Sequence, residues 1–266
     1  MKKITAEALA QAAGGVLAHE GNEPVAEHIS LDSRKMAGND LFVPIIGERA
    51  DGHDYICMAI GNGATVVFTS RHKTEEEVQE AILTQCKGDK EKETAAKAAA
   101  WICVPDTRKA LQDFGAYCRR NNPIPLVGIT GSVGKTTTRE MVAAALSAGF
   151  LVYKTPGNSN SQVGVPITVA EIPENAEIGV IELGMSEPGE MTRIANVAQV
   201  NCAVMTNIGV AHIEQLGSQE NILKEKLHIQ DGMSEKGTLF LNGDDPLLRD
   251  VVPEGGRKKV LYGLSE

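Results

Sequence analysis

The stretch Val127-Gly-Ile-Thr-Gly-Ser-Val-Gly-Lys-Thr-Thr-Thr138 constrains the fold of this chain more than any other. The apolar residues before it predict a buried strand over 126–130, and the residues after it predict a helix over 135–148. Between them, Gly131 and Gly134 predict a tight loop. A strand, a glycine loop and a helix in this order place backbone N–H groups and a helix N-terminus around a phosphate group.

The side chains that follow the loop fit a nucleotide site, although the glycine spacing is unusual. Lys135 would reach the outer phosphates, and Thr136 would offer its hydroxyl to Mg²⁺. The usual pattern has a glycine five residues before Gly134, but Ile129 stands there and Gly128 comes one residue too early. The loop is therefore a variant. The alternative is a plain glycine turn, but turn chemistry does not explain a lysine followed by three threonines.

Downstream of the loop, apolar segments alternate with amphipathic ones, which predicts an α/β domain with a mostly parallel sheet covered by helices. The predicted strands after 126–130 are 150–154, 178–183, 202–206, 238–242 and 259–262. The predicted helices after 135–148 begin at Val163 and span 188–198 and 219–232, and a polar Gly/Asn/Ser loop covers 156–162.

The N-terminal part also mixes both element types and predicts a small α/β domain. Its predicted helices are 5–13, 55–60 and 107–120, and its predicted strands are 29–31, 40–45, 64–70 and 101–104. The charge-rich segment 72–97 predicts a solvated surface helix plus a mobile loop. Because Asn121-Asn-Pro-Ile-Pro125 is turn-rich, we expect one domain over 1–123 and a second over 124–266.

Charge and cysteine usage exclude some classes of protein. With 26 Lys and Arg against 35 Asp and Glu, the net charge of −9 argues against a nucleic-acid binder. The 5 cysteines are scattered without metal-ligand spacing, which is typical of reduced thiols in a cytoplasmic protein. No apolar stretch approaches a membrane span, and the N-terminus lacks the apolar region of a signal peptide.

Two side chains after later strands are candidate metal ligands. Glu182 ends the run Ile178-Gly-Val-Ile-Glu, and an acid at the carboxyl end of a parallel strand lies where such sheets bind ligands. In a phosphate-loop protein it would hold Mg²⁺; the alternative is an ordinary strand-end carboxylate. His212 follows the strand 202–206 and is either a metal ligand or a structural or solvated histidine.

Lys226 lies within or beside the apolar stripe of the predicted helix 219–232, whereas Lys224 lies on the opposite face. A lysine that faces the interior must be paired, neutralised or modified. The alternative is a snorkelling lysine with its head in water. The loop Asn158-Ser-Asn-Ser-Gln162 either binds a polar substrate or forms a turn.

Taken together, these segments resemble the Mur ligase family, in family order over nearly the whole chain. The phosphate loop is shared by all Mur ligases and by folylpolyglutamate synthetases. The Asn-rich loop and the run Ala211-His-Ile-Glu-Gln-Leu-Gly-Ser218 resemble the branch that adds D-alanyl-D-alanine. Further resembling segments are Asp32-Ser-Arg, Asp40-Leu-Phe-Val-Pro, Asp51-Gly-His-Asp, Glu182-Leu-Gly-Met and Pro188-Gly-Glu.

The resemblance implies an ATP-dependent ligase of peptidoglycan precursor synthesis. ATP would phosphorylate the C-terminal carboxylate of UDP-MurNAc-tripeptide, and the amine of D-alanyl-D-alanine would attack the acyl phosphate to give an amide, ADP and phosphate. The N-terminal domain would bind the UDP-MurNAc substrate, and the central domain would bind ATP. We also expect a monomer.

Residue roles follow from the same resemblance. Lys135, Glu182, His212 and Lys226 would be catalytic. The nucleotide phosphates would be held by Gly131, Ser132, Val133, Gly134, Lys135, Thr136 and Thr137, with Asn207 also at the nucleotide. Thr136 and Glu182 would hold one Mg²⁺, and His212 and a carbamylated Lys226 would hold a second. Ser33, Arg34, Asn158, Asn160 and Ser161 would contact substrate.

The chain departs from the family pattern at two points. Ser161 stands where the family commonly has a second asparagine. The sequence ends at Glu266, whereas family members continue through the rest of the central domain into a C-terminal domain with adenine and dipeptide contacts. We therefore expect these 266 residues to bind nucleotide and UDP-linked substrate but to form amide weakly. The alternatives are another Mur ligase, a nucleotide-binding fragment without full activity, and a generic phosphate-loop NTPase.

Overall fold

The computed structural model describes residues 1–264, and its backbone contacts divide the chain into two compact units, Met1–Tyr117 and the residues from Cys118 on. This division falls within helix Thr107–Asn121, slightly before the predicted boundary at residue 123. The predicted boundary stays a prediction. The final two residues of the predicted second domain, 265 and 266, lie outside the described part of the chain.

The first unit contains a five-stranded sheet whose strand order is Val16–His19, Ala100–Cys103, Ala64–Thr69, Asp40–Phe42, His28–Ser30. The last four strands are parallel, and Val16–His19 pairs antiparallel with its neighbour. Ile4–Thr5 and Val25–Ala26 form a separate antiparallel pair. The helices of this unit are Ala6–Ala13, Gly52–Tyr55 (a 3-10 turn), Ile56–Gly61, Glu75–Cys86, Lys90–Ala98 and the start of Thr107–Asn121.

The charge-rich segment 72–97 differs from its prediction, because two helices, Glu75–Cys86 and Lys90–Ala98, form where one helix and a loop were expected. Thr74 caps the first helix through its side-chain oxygen, and Asp89 caps the second in the same way. Val78 and Ile82, four residues apart on the first helix, are fully buried. A prediction based on the many charges overlooks this short apolar stripe. The two caps favour helix formation on both sides of the turn.

The second unit is built on six parallel strands in the order Lys258–Tyr262, Thr238–Asn242, Cys202–Met205, Leu126–Thr130, Ile178–Glu182, Val152–Lys154. Its helices are Lys135–Leu146, Gly164–Ala170, Glu190–Ala198, Ile213–Leu216, Gln219–Leu227 and Pro246–Arg249, with 3-10 turns at His228–Gly232 and Glu254–Gly256. This arrangement confirms the predicted α/β class with a phosphate-loop domain on a parallel sheet.

The central strand Leu126–Thr130 is buried on both faces of the sheet, as expected for a parallel strand. Leu126 belongs to one apolar cluster, while Val127 and Ile129 belong to the cluster on the opposite face. A Cβ added to Gly128 would lie 3.1 Å from Val200 and 3.3 Å from the Ile229 side chain. The glycine therefore allows the segment that carries Lys226 to pack close to the central strand.

The predicted helix 219–232 is shorter than expected, because it ends at Leu227 and continues as a 3-10 turn over His228–Gly232. A Cβ added at Gly232 would lie 1.9 Å from the carbonyl oxygen of Ala195. The tighter turn thus packs its backbone against helix Glu190–Ala198.

Among the described residues, no helix combines the length and apolar character needed to cross a membrane.

Candidate functional site

The candidate site lies at the carboxyl ends of three neighbouring parallel strands of the second unit. The central strand Leu126–Thr130 lies between Ile178–Glu182 and Cys202–Met205. The next strand in the chain, Val152–Lys154, lies at the sheet edge, and Ile178–Glu182 pairs between it and the central strand. Crevices at such points of reversed strand order are the usual ligand sites of open α/β sheets. A cavity of about 470 Å³ opens here, lined by Ser132, Val133, Gly134, Lys135, Thr136, Thr137, Asn158, Asn160 and Glu182.

The two loop glycines differ in why they are needed. Both have positive φ, +145° at Gly131 and +83° at Gly134. A Cβ at Gly131 would lie 1.9 Å from Oγ1 of Thr206, whereas a Cβ at Gly134 would meet nothing within 4 Å. Gly131 therefore lets the loop pass directly against the end of the neighbouring strand, which accounts for a glycine at this position of the variant loop.

The loop is held to that neighbouring strand end by two residues. Oδ1 of Asn207 accepts the N–H of Val133 at 3.0 Å, and its carbonyl oxygen accepts the N–H of Ser132 at 3.0 Å. The hydroxyl of Thr206 donates to the Val133 carbonyl at 2.6 Å. Asn207, predicted at the nucleotide, thus binds the phosphate loop and holds its shape. Thr206 also binds the loop, although the sequence analysis did not predict a role for it.

Helix Lys135–Leu146 begins directly at the loop, and no side chain caps its N-terminus. Its first N–H groups and its positive dipole end therefore face the cavity, where an anion is stabilised. Nζ of Lys135 donates to the carbonyl oxygens of Gly131 at 2.9 Å and Ser132 at 3.4 Å. Burial lowers the pKa of Lys135, and the nearby Glu182 carboxylate partly opposes that shift.

Glu182 is buried at the centre of a hydrogen-bond network. Its Oε2 accepts the Thr136 hydroxyl at 3.0 Å and Nη1 of Arg139 at 3.2 Å, and its Oε1 accepts Nδ2 of Asn160 at 2.8 Å. A carboxylate and a hydroxyl beside a phosphate-binding loop are the ligand types that Mg²⁺ prefers, together with water and phosphate oxygens. Thr136 and Glu182 therefore fit a magnesium ion.

Lys226 is only 1% exposed, which excludes a snorkelling side chain. Its Nζ donates to the Gly131 carbonyl at 3.1 Å, so it reaches the phosphate loop from helix Gln219–Leu227. The carboxylate of its neighbour Glu225 is bound to the N–H groups of Gly189 and Met191. Burial, followed by repulsion from Lys135, lowers the pKa of Lys226 to about 7, with Glu225 acting in the opposite direction. Burial therefore favours the neutral amine over the ammonium.

We expect Lys226→Met to raise the free energy of unfolding near pH 6 by about 1–3 kcal/mol, and this gain to shrink toward pH 10. The folded-state pKa of about 7 lies below the ordinary lysine value of 10.5, so the unfolded chain binds more protons between these two pH values. The cost of burying the amine is therefore fully present below pH 7 and is lost as the pH rises. Urea unfolding across this pH range, in buffers freed of CO₂ so that Lys226 stays an amine, measures the effect.

Lys224→Met is the matched control, because Lys224 is exposed on the same helix. Its effect on the free energy of unfolding should be small at every pH. A gain from Lys226→Met that does not vary with pH would contradict the assignment of the lowered pKa to the folded state.

The other predicted residues of this unit occupy different settings. Asn158 and Asn160 line the cavity, whereas Ser161 is exposed and its Oγ accepts the Gly164 N–H at 3.3 Å. His212 is exposed, has a φ of +66° and precedes helix Ile213–Leu216. Within residues 1–264, no group of three or more His, Cys, Asp or Glu side chains is arranged to hold a metal ion. The metal role of His212 stays a prediction.

Ser33 and Arg34 lie in the first unit. Oγ of Ser33 lies 3.4 Å from the sulfur of Met58, which lines a second cavity of about 740 Å³. Arg34 makes two hydrogen bonds to the Asp32 carboxylate, at 2.8 and 2.9 Å, and these bonds lower the pKa of Asp32 to about 2. The cavity also contains Arg71 and His72. Ser33 therefore contacts a residue that lines the cavity, and Arg34 is exposed; the structure places neither of the two among the lining residues.

Arg139 is the site residue that the sequence reading missed most clearly. It is buried and touches Glu182, although its type and its place in a polar helix suggest a surface residue. One signal was available: Arg139 follows Thr136 by three residues, so both side chains lie on one face of the helix.

Comparison with known families and proteins supports the resemblance. The profile of the Mur ligase family catalytic domain matches residues 26–118, and that of the Mur ligase middle domain matches residues 129–266. The chain is 37% identical over 252 residues to the UDP-N-acetylmuramoyl-tripeptide–D-alanyl-D-alanine ligase of Bacillus subtilis, covering 94% of this chain and 51% of that protein. It is 34% identical over 239 residues to the same enzyme of Synechocystis, covering 90% and 48%.

Solved structures agree with these relatives. A crystal structure of MurF from Acinetobacter baumannii matches with a TM-score of 0.83 and 28% identity, over 99% of this chain and 54% of that one. MurF ligase from Thermotoga maritima in complex with ADP matches with a TM-score of 0.73 and 30% identity, over 90% and 50%. The chain spans about half the length of the relatives it matches.

Proposed function

The chain belongs to the Mur ligase family, and from that membership we propose that it carries the nucleotide and UDP-substrate sites of an ATP-dependent amide ligase. The reaction joins D-alanyl-D-alanine to UDP-MurNAc-tripeptide in peptidoglycan precursor synthesis. One observation carries the proposal: Lys135, Thr136 and Glu182 line the same cavity as Asn158 and Asn160. A phosphate-binding loop, a magnesium-binding pair and a polar substrate loop therefore share one space.

The proposed chemistry depends mainly on positioning and charge neutralisation. The substrate carboxylate attacks the terminal phosphorus of ATP, and ADP leaves. The amine of D-alanyl-D-alanine then attacks the acyl phosphate, loses a proton and expels phosphate. The N–H groups at the start of helix Lys135–Leu146 and Nζ of Lys135 bind the phosphates. Mg²⁺ held by Thr136 and Glu182 would neutralise phosphate charge.

Lys226 takes a modified form in this proposal. A neutral amine adds CO₂ and loses a proton to become a carbamate, which is an anionic oxygen ligand. The buried setting of Lys226 and its pKa of about 7 favour this chemistry. The carbamate and His212 would bind a second cation. The role of His212 comes from the family resemblance alone, because its side chain is exposed in this structure.

We assign the UDP-linked part of the substrate to the first unit, at the 740 Å³ cavity whose lining residue Met58 contacts Ser33, with Arg34 next in the chain. The two asparagines of loop 156–162 would contact the substrate at the nucleotide cavity. Because ATP and a UDP-linked precursor are cytoplasmic compounds, we propose that the protein is cytoplasmic. We also expect it to be a monomer.

The first test is nucleotide binding by this chain, measured by calorimetry with Mg²⁺ and ADP. We expect binding, and we expect Lys135→Met to weaken it by about thirtyfold, because a charged donor to phosphate is lost. Lys154→Met is the matched control: Lys154 ends strand Val152–Lys154, is paired with Glu140 of helix Lys135–Leu146 and is outside the residues that line the cavity. Equal affinities for wild type and Lys135→Met would contradict the assigned phosphate site.

A ligation panel separates the proposal from its alternatives. Product from UDP-MurNAc-tripeptide and D-alanyl-D-alanine supports it, whereas product from a shorter precursor and a single amino acid indicates another Mur ligase. ATP hydrolysis without a carboxylate substrate indicates a generic NTPase, and nucleotide binding alone indicates a binding fragment. Robust ligation by the 266 residues alone would overturn the expectation of weak amide formation.

A further inference from the structure

Arg139 connects two parts of the site that the proposed reaction uses separately. Its side chain is buried, with 4% exposure, on the helix that follows the phosphate loop. Nη1 donates to Oε2 of Glu182 at 3.2 Å and to the carbonyl oxygen of Gly157 at 2.7 Å. One nitrogen therefore bridges the proposed metal-binding carboxylate and the first part of loop 156–162.

The other end of that loop is bound to the same carboxylate. Nδ2 of Asn160 donates to Oε1 of Glu182 at 2.8 Å, and the Asn160 carbonyl accepts the N–H of Gly184 at 2.8 Å. A Cβ added at Gly184 would lie 2.9 Å from the Asn160 side-chain amide, so the fit is close on this side as well. The loop is thus attached to Glu182 at two points, directly through Asn160 and indirectly through Arg139.

The remaining donors of Arg139 fix its orientation. Nε and Nη2 both donate to Oε1 of Glu140, at 3.2 and 2.7 Å, and the other oxygen of Glu140 accepts the ammonium of Lys154. A guanidinium can serve this fork and still direct Nη1 inward, because its five N–H donors lie in one rigid plane. A lysine would carry the same charge but lack the second set of donors.

We propose that Arg139 is a positioning residue that couples the Glu182 carboxylate to substrate loop 156–162, so that binding of Mg²⁺-nucleotide orders the loop for the UDP-linked substrate. A cation bound by Thr136 and Glu182 would compete with Arg139 for Oε2, since both seek the same oxygen. Nη1, which already donates to the Gly157 carbonyl at 2.7 Å, would then have that carbonyl as its one acceptor and hold the loop there. The inference rests on the proposed function.

The test uses hydrogen–deuterium exchange of peptides that cover loop 156–162, together with calorimetry of the same chain. In wild type, Mg²⁺ and ADP are expected to slow exchange in the loop by about tenfold. They are also expected to tighten binding of UDP-MurNAc-tripeptide by about tenfold. Arg139→Lys should keep the positive charge beside Glu182 and still bind Mg²⁺-ADP, but lose both linked effects.

Glu140→Gln is the matched control, because the oxygen that accepts Nε and Nη2 of Arg139 remains available in glutamine, while Glu182 and Gly157 are untouched. It should retain both linked effects. Arg139→Lys with wild-type loop protection and wild-type linkage would overturn the inference while leaving the proposed function intact. Failure of wild type to bind Mg²⁺-ADP would instead remove the proposed function and the inference together. A merely structural role predicts faster exchange throughout the unit, with or without nucleotide.

Discussion

Lys226→Ala is expected to lower kcat/KM for ligation by about a hundredfold or more in the ligation-competent enzyme, and short carboxylic acids are expected to restore part of the rate. Lys226 is buried against the phosphate loop, with Nζ 3.1 Å from the Gly131 carbonyl. Truncation removes the carbamate and leaves a cavity in its place. A small acid can enter that cavity and present two oxygens close to where the carbamate oxygens would lie.

The measurement is the ligation rate of Lys226→Ala as formate, acetate or propionate is added. Lys224→Ala, on the exposed face of the same helix, should remain close to wild type and should not respond to the acids. Wild-type activity in Lys226→Ala without rescue would exclude the carbamate. A loss that no acid repairs would assign the role of Lys226 to packing instead.

Gly131→Ala is expected to destabilise the protein by about 3 kcal/mol or more and to abolish binding of Mg²⁺-ADP. The residue has a φ of +145°, and the new Cβ would lie 1.9 Å from Oγ1 of Thr206. The Thr206 hydroxyl is itself held by the Val133 carbonyl, so it cannot move away without breaking a loop contact. The steric overlap would therefore displace the phosphate loop from the strand end.

Gly134→Ala provides the comparison within the same loop. It also has a positive φ, of +83°, but its Cβ would meet open space. We expect a loss of about 1 kcal/mol from backbone strain alone. Thermal or urea unfolding and ADP calorimetry of both variants distinguish these causes. Equal destabilisation by the two substitutions would show that strain, and not the contact with Thr206, makes Gly131 necessary.

Several features of the fold were predictable because their signals are local. Strands 126–130 and 238–242 were predicted with the bounds that the structure has, since each is a short apolar run between turn residues. The place of Lys226 within or beside the apolar stripe followed from helical periodicity, which relates residues only three or four positions apart. The structure then decided for burial over a snorkelling side chain. The helices at 75–86 and 90–98 were missed in part, because their charges outnumber the buried residues that decide their packing.

The sequence by itself determined the chemical character of this protein: a phosphate loop, an acid at the end of a later strand, a lysine on the inner face of a helix, and the order that resembles Mur ligases. Only the tertiary structure decided that Gly131 must pass against Thr206, that Lys226 reaches the phosphate loop, and that Arg139 joins Glu182 to Gly157. These contacts join residues far apart in the chain. They depend on which strands become neighbours in the sheet, and that order is set by how the whole core packs rather than by any local pattern.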